Sequence, residues 1–281
     1  LLLVFLTMMS SSCTLFDNDS FEPAFLEIDS VSLATTLPQG APTHRIEDVW
    51  VFVDGFVVGV FTLPARIPVI PTKDTTDIRI TAGVRQNGMR DVPIEYPFYD
   101  AIQLRLPIKS GETRRLTPQF QYRPDSKFDF VEGFELGNIF TSDEDGNPET
   151  TMVITTAEAA TGARSGLMLS SASRPRTEVA TFSEFLGENN ARGAVYLEIE
   201  YKSEAEVFVG VIVRTAVEEI KNYKLILRRN TNWTKVYVDL TDEISNAAVV
   251  TYKVVVGTEY PSNAPGTSTN TFIDNVKLIH F

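Results

Sequence analysis

The chain predicts an all-β protein: a small N-terminal β-sandwich module followed by a C-terminal jelly-roll β-sandwich. Three observations carry this prediction. Apolar and polar residues alternate with period two over many short runs; turn dipeptides such as Asp54-Gly55 and Asn87-Gly88 punctuate them; and no long amphipathic helix appears, Phe182–Asn190 reading as a helical turn at most. Composition agrees, with 43% hydrophobic and 22% charged residues, an ordinary globular balance. Eighteen Phe and nine Tyr supply core material, and a single Cys leaves no internal disulfide to assist it. The net charge of −12 excludes nucleic acid, whose binding rests on Lys and Arg meeting phosphates, and peripheral docking on anionic lipid.

Taken in order, the chain opens on Leu1–Met9, an apolar run, then Ser10-Ser11-Ser12 and Cys13. The run is about nine residues, roughly half what a spanning helix needs. Apolar run, small residues and lone Cys together resemble the end of a bacterial lipoprotein signal peptide, with Ser10 where Leu is usual. The resemblance implies that Cys13 is lipidated and anchors the chain to the outer membrane; the alternative is a free Cys acting as a small core residue. Asp17-Asn18-Asp19 resembles the acidic export signal of surface-exposed Bacteroidota lipoproteins, which favours the cell surface while leaving the inner leaflet open. The expected boundaries are 1–12 for a signal peptide, 13–24 for the lipidated Cys and tether, 25–124 for the first module and 125–281 for the second.

In the first module, Phe25–Leu33 changes phase between Ile28 and Val31, which predicts a bulge. The Pro- and Gly-bearing stretch Thr36–Thr43 is a loop. Val49–Val53 and Phe56–Phe61 flank Asp54-Gly55, residues that tolerate the positive φ of a type I′ hairpin turn. Ile78–Ile80 leads to Asn87-Gly88, and Ile102, Leu104, Leu106 and Ile108 alternate up to Ser110-Gly111. The run VFVDGFVVGVFTLPARIPVI resembles the PEGA-type, Ig-like β module, and its surroundings resemble uncharacterised Bacteroidota lipoproteins; this implies a location but no activity.

After the polar join Gln121–Lys127, Val195–Tyr201 places Val195, Leu197 and Ile199 on one face and Tyr196, Glu198 and Glu200 on the other. Val236, Val238 and Leu240 likewise oppose Trp233, Lys235 and Tyr237, as in an antiparallel sandwich. Glu206–Val213 and Ala248–Val256 read as central strands. Phe134-Glu135-x-Gly137, Gly162-x-x-Ser165-Gly166-Leu167, Asn232–Val236 and Phe272–Val276 occur in an order that resembles the galactose-binding-like jelly roll of carbohydrate-binding modules.

Chemistry is sparse. Two His, at 44 and 280, leave little room for His-dependent triads or zinc sites. Ser165 stands one position off a nucleophile elbow, and no phosphate-binding glycine loop occurs. Asp143–Asn147 lacks the acids an EF-hand loop needs and reads as a solvated turn. The jelly-roll resemblance implies a structural Ca²⁺ held by Glu135 and Asp274; the alternative is an edge carboxylate paired with a base. Tyr196, Glu198, Glu200, Lys235 and Tyr237 form either a shallow glycan groove or a plain outward sheet face, the latter preferred. Arg114-Arg115 and Arg228-Arg229 read as solvated faces, and Tyr96–Tyr99 as core or a protein-docking patch. The expected function is that of a non-catalytic accessory or scaffolding subunit that binds another outer-membrane protein. The alternatives are a cell-surface glycan-binding lipoprotein and an enzyme whose carboxylate pair the sequence does not reveal.

Overall fold

Residues 22–187, 193–245, 248–264 and 266–281 are described by the computed structural model. Apart from a 3-10 turn at Leu37–Gln39 and one helical turn at Thr241–Ile244, the regular elements among them are strands. Cys13 and the expected signal and tether up to Phe21 lie outside the described residues.

The N-terminal half is built on the hairpin Asp48–Val53/Phe56–Thr62. Its turn is local chemistry: Asp54 and Gly55 take φ of 50° and 86°, as a primed turn requires. Thr76–Arg85 joins the other side of Asp48–Val53, and Pro93–Glu95 and Ile102–Leu106 pair in turn with Thr76–Arg85. The phase change after Ile28 is a change of partner rather than a bulge. Ala24–Ile28 lies between Ala65–Val69 and Thr113–Leu116, while Ser32–Ala34 pairs with Gln119–Gln121. Leu26, Ile28, Val51, Ile67, Ile80, Phe98 and Phe120 are buried between these layers.

The C-terminal half is a sandwich of two antiparallel sheets, each of six strands. The first runs Met152–Thr155, Ser165–Ser171, Ser268–His280, Val195–Ser203, Asn230–Asp239, with Lys127–Glu132 also on Ser268–His280. The second runs Ser142–Asp143, Arg176–Ala180, Thr251–Glu259, Glu206–Arg214, Glu219–Leu227, with Phe185–Leu186 on Thr251–Glu259. The stretch expected to be a helical turn is therefore partly a short strand. Leu197, Ile199, Val238 and Leu278 of the first sheet face Val207, Val209, Val254 and Val256 of the second, and all are fully buried. This is the all-β sandwich the alternation predicts.

The two halves do not meet only at a thin join. Tyr196, Tyr237 and Ile279 of the second half belong to the apolar cluster of the first. Asn87, expected simply as a turn residue, also bonds across: its amide N–H donates to Tyr237 O at 2.9 Å, and its Oδ1 accepts from Asp239 N at 2.9 Å.

Candidate functional site

The first sheet's outer face holds the five residues of the expected groove, and it is not open. Tyr196, Glu198, Glu200, Lys235 and Tyr237 are each buried, with Glu198 at 0% exposure, because the N-terminal half lies over them. The correction has a plain cause. Alternation says which side a residue leaves the sheet on, not whether another layer covers that side.

What covers them is complementary in detail. Lys235 Nζ is 2.7 Å from Glu198 Oε2 and donates to Thr43 Oγ1 at 3.1 Å. Tyr96 OH donates to Glu198 Oε1 at 2.9 Å, and Tyr122 OH lies 3.0 Å from both carboxylate oxygens. Lys277, also fully buried, donates to Tyr122 OH at 3.2 Å and to Ala41 O at 2.9 Å. Tyr237 OH accepts from Arg45 N at 2.9 Å, and Tyr96 stacks edge-on against Tyr196 and Tyr237 with centroids 5.5 and 4.8 Å apart. Burial pushes Glu198 up, but Lys235 and Lys277 outweigh it and the carboxyl ends below its ordinary value. Burial pulls Lys277 down to about 8, aided by Lys235 and opposed by Glu198 and Glu200. Burial, then the Glu198 charge, holds Tyr96, Tyr99 and Tyr122 well above the usual phenol range. This is a closed, satisfied charge network. It joins the two halves and is shut off from any ligand.

The expected calcium pair is also placed differently. A break in alternation at Asn275, whose φ is 48°, puts both Ile273 and Val276 into the core and turns Asp274 into a buried position against residues 160–161. There Oδ2 accepts from Ala160 N at 2.9 Å and Thr161 N at 3.2 Å, and Oδ1 from Asn275 N at 2.7 Å. Glu135 Oε1 accepts from Ala163 N and Arg164 N at 2.7 and 3.0 Å. Both carboxylates thus grip one loop through N–H donors, whose positive ends repel a cation. The donor set does not fit Ca²⁺, which needs oxygens converging on it. Burial raises Asp274 to about 6, with the three N–H groups holding it back.

The second sheet's outer face is the one that meets solvent, and the sequence reading did not single it out. Phe208 and Tyr223 stand there with ring centroids 5.7 Å apart, and the Arg176 guanidinium lies 5.6 and 5.9 Å from their rings. Arg176 pairs with Glu178; Lys221 Nζ lies 3.1 Å from Glu178 Oε2 and donates to Glu144 O at 2.7 Å. Asp145 Oδ2 accepts from Glu178 N at 2.8 Å. A cleft of about 480 Å³ opens beside them, lined by Glu144, Asp145, Asn147, Arg174, Arg176 and Lys221. The signal that could have found it is cross-strand register: Tyr223 sits opposite Gly210, where the register shifts and the Asn222–Tyr223 backbone comes too close for a side chain.

No family model matches the chain, and no curated protein matches it. Solved structures with similar folds include a carbohydrate-binding module of the β-sandwich superfamily, 13% identical, covering 82% of this chain and 84% of that one with a TM-score of 0.39. A xylan-binding domain from Paenibacillus barcinonensis, of carbohydrate-binding module family 22, is 14% identical over 54% of this chain and 99% of its own, with a TM-score of 0.40. A family 61 module solved with β-1,4-galactotriose is 14% identical over 53% of this chain and 94% of its own, with a TM-score of 0.35.

Proposed function

We propose that this chain is a non-catalytic glycan-binding lipoprotein, held to the bacterial outer membrane through Cys13, that takes a saccharide on the outer face of its second sheet. One observation carries the reading: the adjoining rings of Phe208 and Tyr223 beside charged side chains of both signs at a solvent-open cleft. Sugars present apolar C–H faces, which aromatic rings cover, and hydroxyls that both donate and accept, which Lys, Arg and carboxylates meet with charge-assisted hydrogen bonds. Glu178 is tied to Arg176 and Lys221, and Asp145 to backbone N–H and Thr150, which supports a binding rather than an acid–base role for them. Affinity electrophoresis in gels containing arabinoxylan, galactan, galactomannan or β-glucan tests this. The protein should be retarded by at least one polymer, and Tyr223→Ala should lose about tenfold or more in affinity with its melting temperature kept, in line with alanine costs at stacked aromatics. Free migration in every gel would overturn the reading.

An accessory subunit of another outer-membrane protein is the second reading, and the edge strand Phe56–Thr62 favours it. Among the described residues that strand pairs only with Asp48–Val53; it carries no charge and leaves Phe56 78% and Val57 63% exposed, a template for an added strand. Pull-down from detergent-solubilised membranes with Val57→Lys as control separates the two: a partner lost on that substitution supports the second reading.

A further inference from the structure

A sizeable open space lies at one end of the sandwich, where the sequence showed only the pair Arg228-Arg229. A cleft of about 800 Å³ there is lined by Glu206, Phe208, Arg228, Arg229, Glu259 and Tyr260, and a second of about 520 Å³ adjoins it through Arg229 and Pro261. Elsewhere, most exposed arginines sit on carboxylates, as Arg105, Arg123 and Arg214 do. Here the described residues provide no ion pair for Arg228, Arg229, Glu206 or Glu259, although all four line one cleft. Glu259 lies across from Glu206 on one neighbouring strand and from Arg176 on the other, and Arg176 is itself committed to Glu178. On the sheet face the charges satisfy one another; in the end cleft their hydrogen-bonding capacity is unspent.

The two places are connected. Phe208 lines the end cleft and stacks near Tyr223, while Arg176 lies over Phe208 and lines the sheet-face cleft. Tyr260 is fixed on the cleft wall, its amide N–H donating to Pro175 O at 2.6 Å and its hydroxyl to Gly266 O at 2.5 Å. Two guanidiniums and two carboxylates sum to zero charge, and the whole chain carries −12. A polyanion would meet Glu206 and Glu259 at close range and a repulsive field at long range. A chain of neutral hydroxyls meets both signs, donating to the glutamates and accepting from the arginines, with Phe208 and Tyr260 against its C–H faces.

We infer that the end cleft is a second saccharide subsite continuous with the sheet face, and that the ligand is an extended, uncharged polysaccharide engaging both. The inference rests on the glycan-binding reading and names the ligand class. Its consequence is length dependence: a dimer fits one subsite, whereas a hexamer reaches both and gains from their linkage.

The test is calorimetry on the full chain with the dimer-to-hexamer series of whichever neutral polymer retards it most, and with polygalacturonate. Affinity should climb steeply with length for the wild type. Arg228→Gln/Arg229→Gln should lose about tenfold or more for the hexamer and leave the dimer unchanged, with Glu259→Gln as an independent variant acting in the same direction. Equal hexamer affinity in these variants, with Tyr223→Ala still defective, would overturn the end subsite and leave the sheet-face reading standing. Preference for polygalacturonate, lost on removal of the arginines, would overturn the uncharged class. Loss in the arginine variants with none in Tyr223→Ala would overturn the sheet face and the continuity argued here. No binding of any polymer would overturn both.

Discussion

On the first sheet of the C-terminal sandwich, outward-pointing Tyr196, Glu198, Lys235 and Tyr237 lie under the N-terminal half; on the second, Arg176, Lys221 and Tyr223 are reached by solvent around a buried Glu178. The residue types are nearly the same and so is the alternation. The difference is what each face must satisfy. Under the N-terminal half, a carboxylate and two ammonium groups share a water-poor space, so every lone pair and proton needs a protein partner, and Tyr96, Tyr122, Thr43 and Ala41 supply them. On the second sheet Glu178 keeps protein partners in Arg176 and Lys221, while water reaches those two cations. Similar-looking faces thus act as a clamp in one place and stay open to solvent in the other.

The strongest way to break that contrast is to remove one charge from each face. Glu198→Ala leaves Lys235 and Lys277 buried without their carboxylate, and should cost about 3–5 kcal/mol of stability. Lys221→Ala, which leaves Arg176 on the buried Glu178, should cost less, about 1.5 kcal/mol. Urea unfolding of both variants measures the difference. Comparable losses would mean that the N-terminal half does not seal the first face.

Titration sharpens the comparison, with a smaller effect. Lys277 holds its proton only to about pH 8 in the folded chain, against an ordinary lysine value of 10.5. Between these values the unfolded chain binds one more proton than the native one, so stability rises with pH, by at most about 1.4 kcal/mol per unit. Above about pH 10 the sign reverses, because unfolded tyrosines ionise while buried Tyr96, Tyr99 and Tyr122 keep their protons. Thermal melts from pH 7 to 11 should therefore pass through a maximum near pH 10, and Lys277→Met should flatten the rising limb. A wild-type curve that falls steadily from pH 8 would contradict a buried, charged Lys277.

How much of this was legible depended on range. Asp54-Gly55 specified its hairpin because the requirement for positive φ is met within the dipeptide itself. Val195, Leu197 and Ile199 were legible as core-facing because period two is a property of one strand. The covering of Glu198 was not, since Tyr96 and Tyr122 reach it from 102 and 76 residues away and nothing near Glu198 records their approach. The solvent-facing cluster of the second sheet was missed for a related reason. Phe208, Tyr223 and Arg176 come from three strands, and only their registers bring them together. The setting of Asp274 was not legible because Asn275, a left-handed residue next to it, resets the alternation of the strand.

The smallest expected effect concerns Asp274, where the expected outcome is no change. A calcium ion at Asp274 and Glu135 would have to displace five backbone N–H groups, those of Ala160, Thr161 and Asn275 on one carboxylate and of Ala163 and Arg164 on the other. The three on Asp274 are charge-assisted hydrogen bonds in a partly dry setting, where leaving a donor unmet costs about 1–3 kcal/mol apiece, while the two on Glu135 are exposed. Gly162 adds a geometric limit: with φ at +67° and a Cβ that would fall 2.2 Å from Glu135 Oε1, the loop is already closed tightly on that carboxylate. Millimolar calcium or excess chelator should therefore leave the melting curve of the full chain unmoved, whereas Asp274→Ala should lower it regardless of calcium by freeing the 160–161 loop. A calcium-dependent rise in melting temperature that disappears in Asp274→Ala would show that the loop opens to admit the ion, and that the N–H cradle is only its resting form.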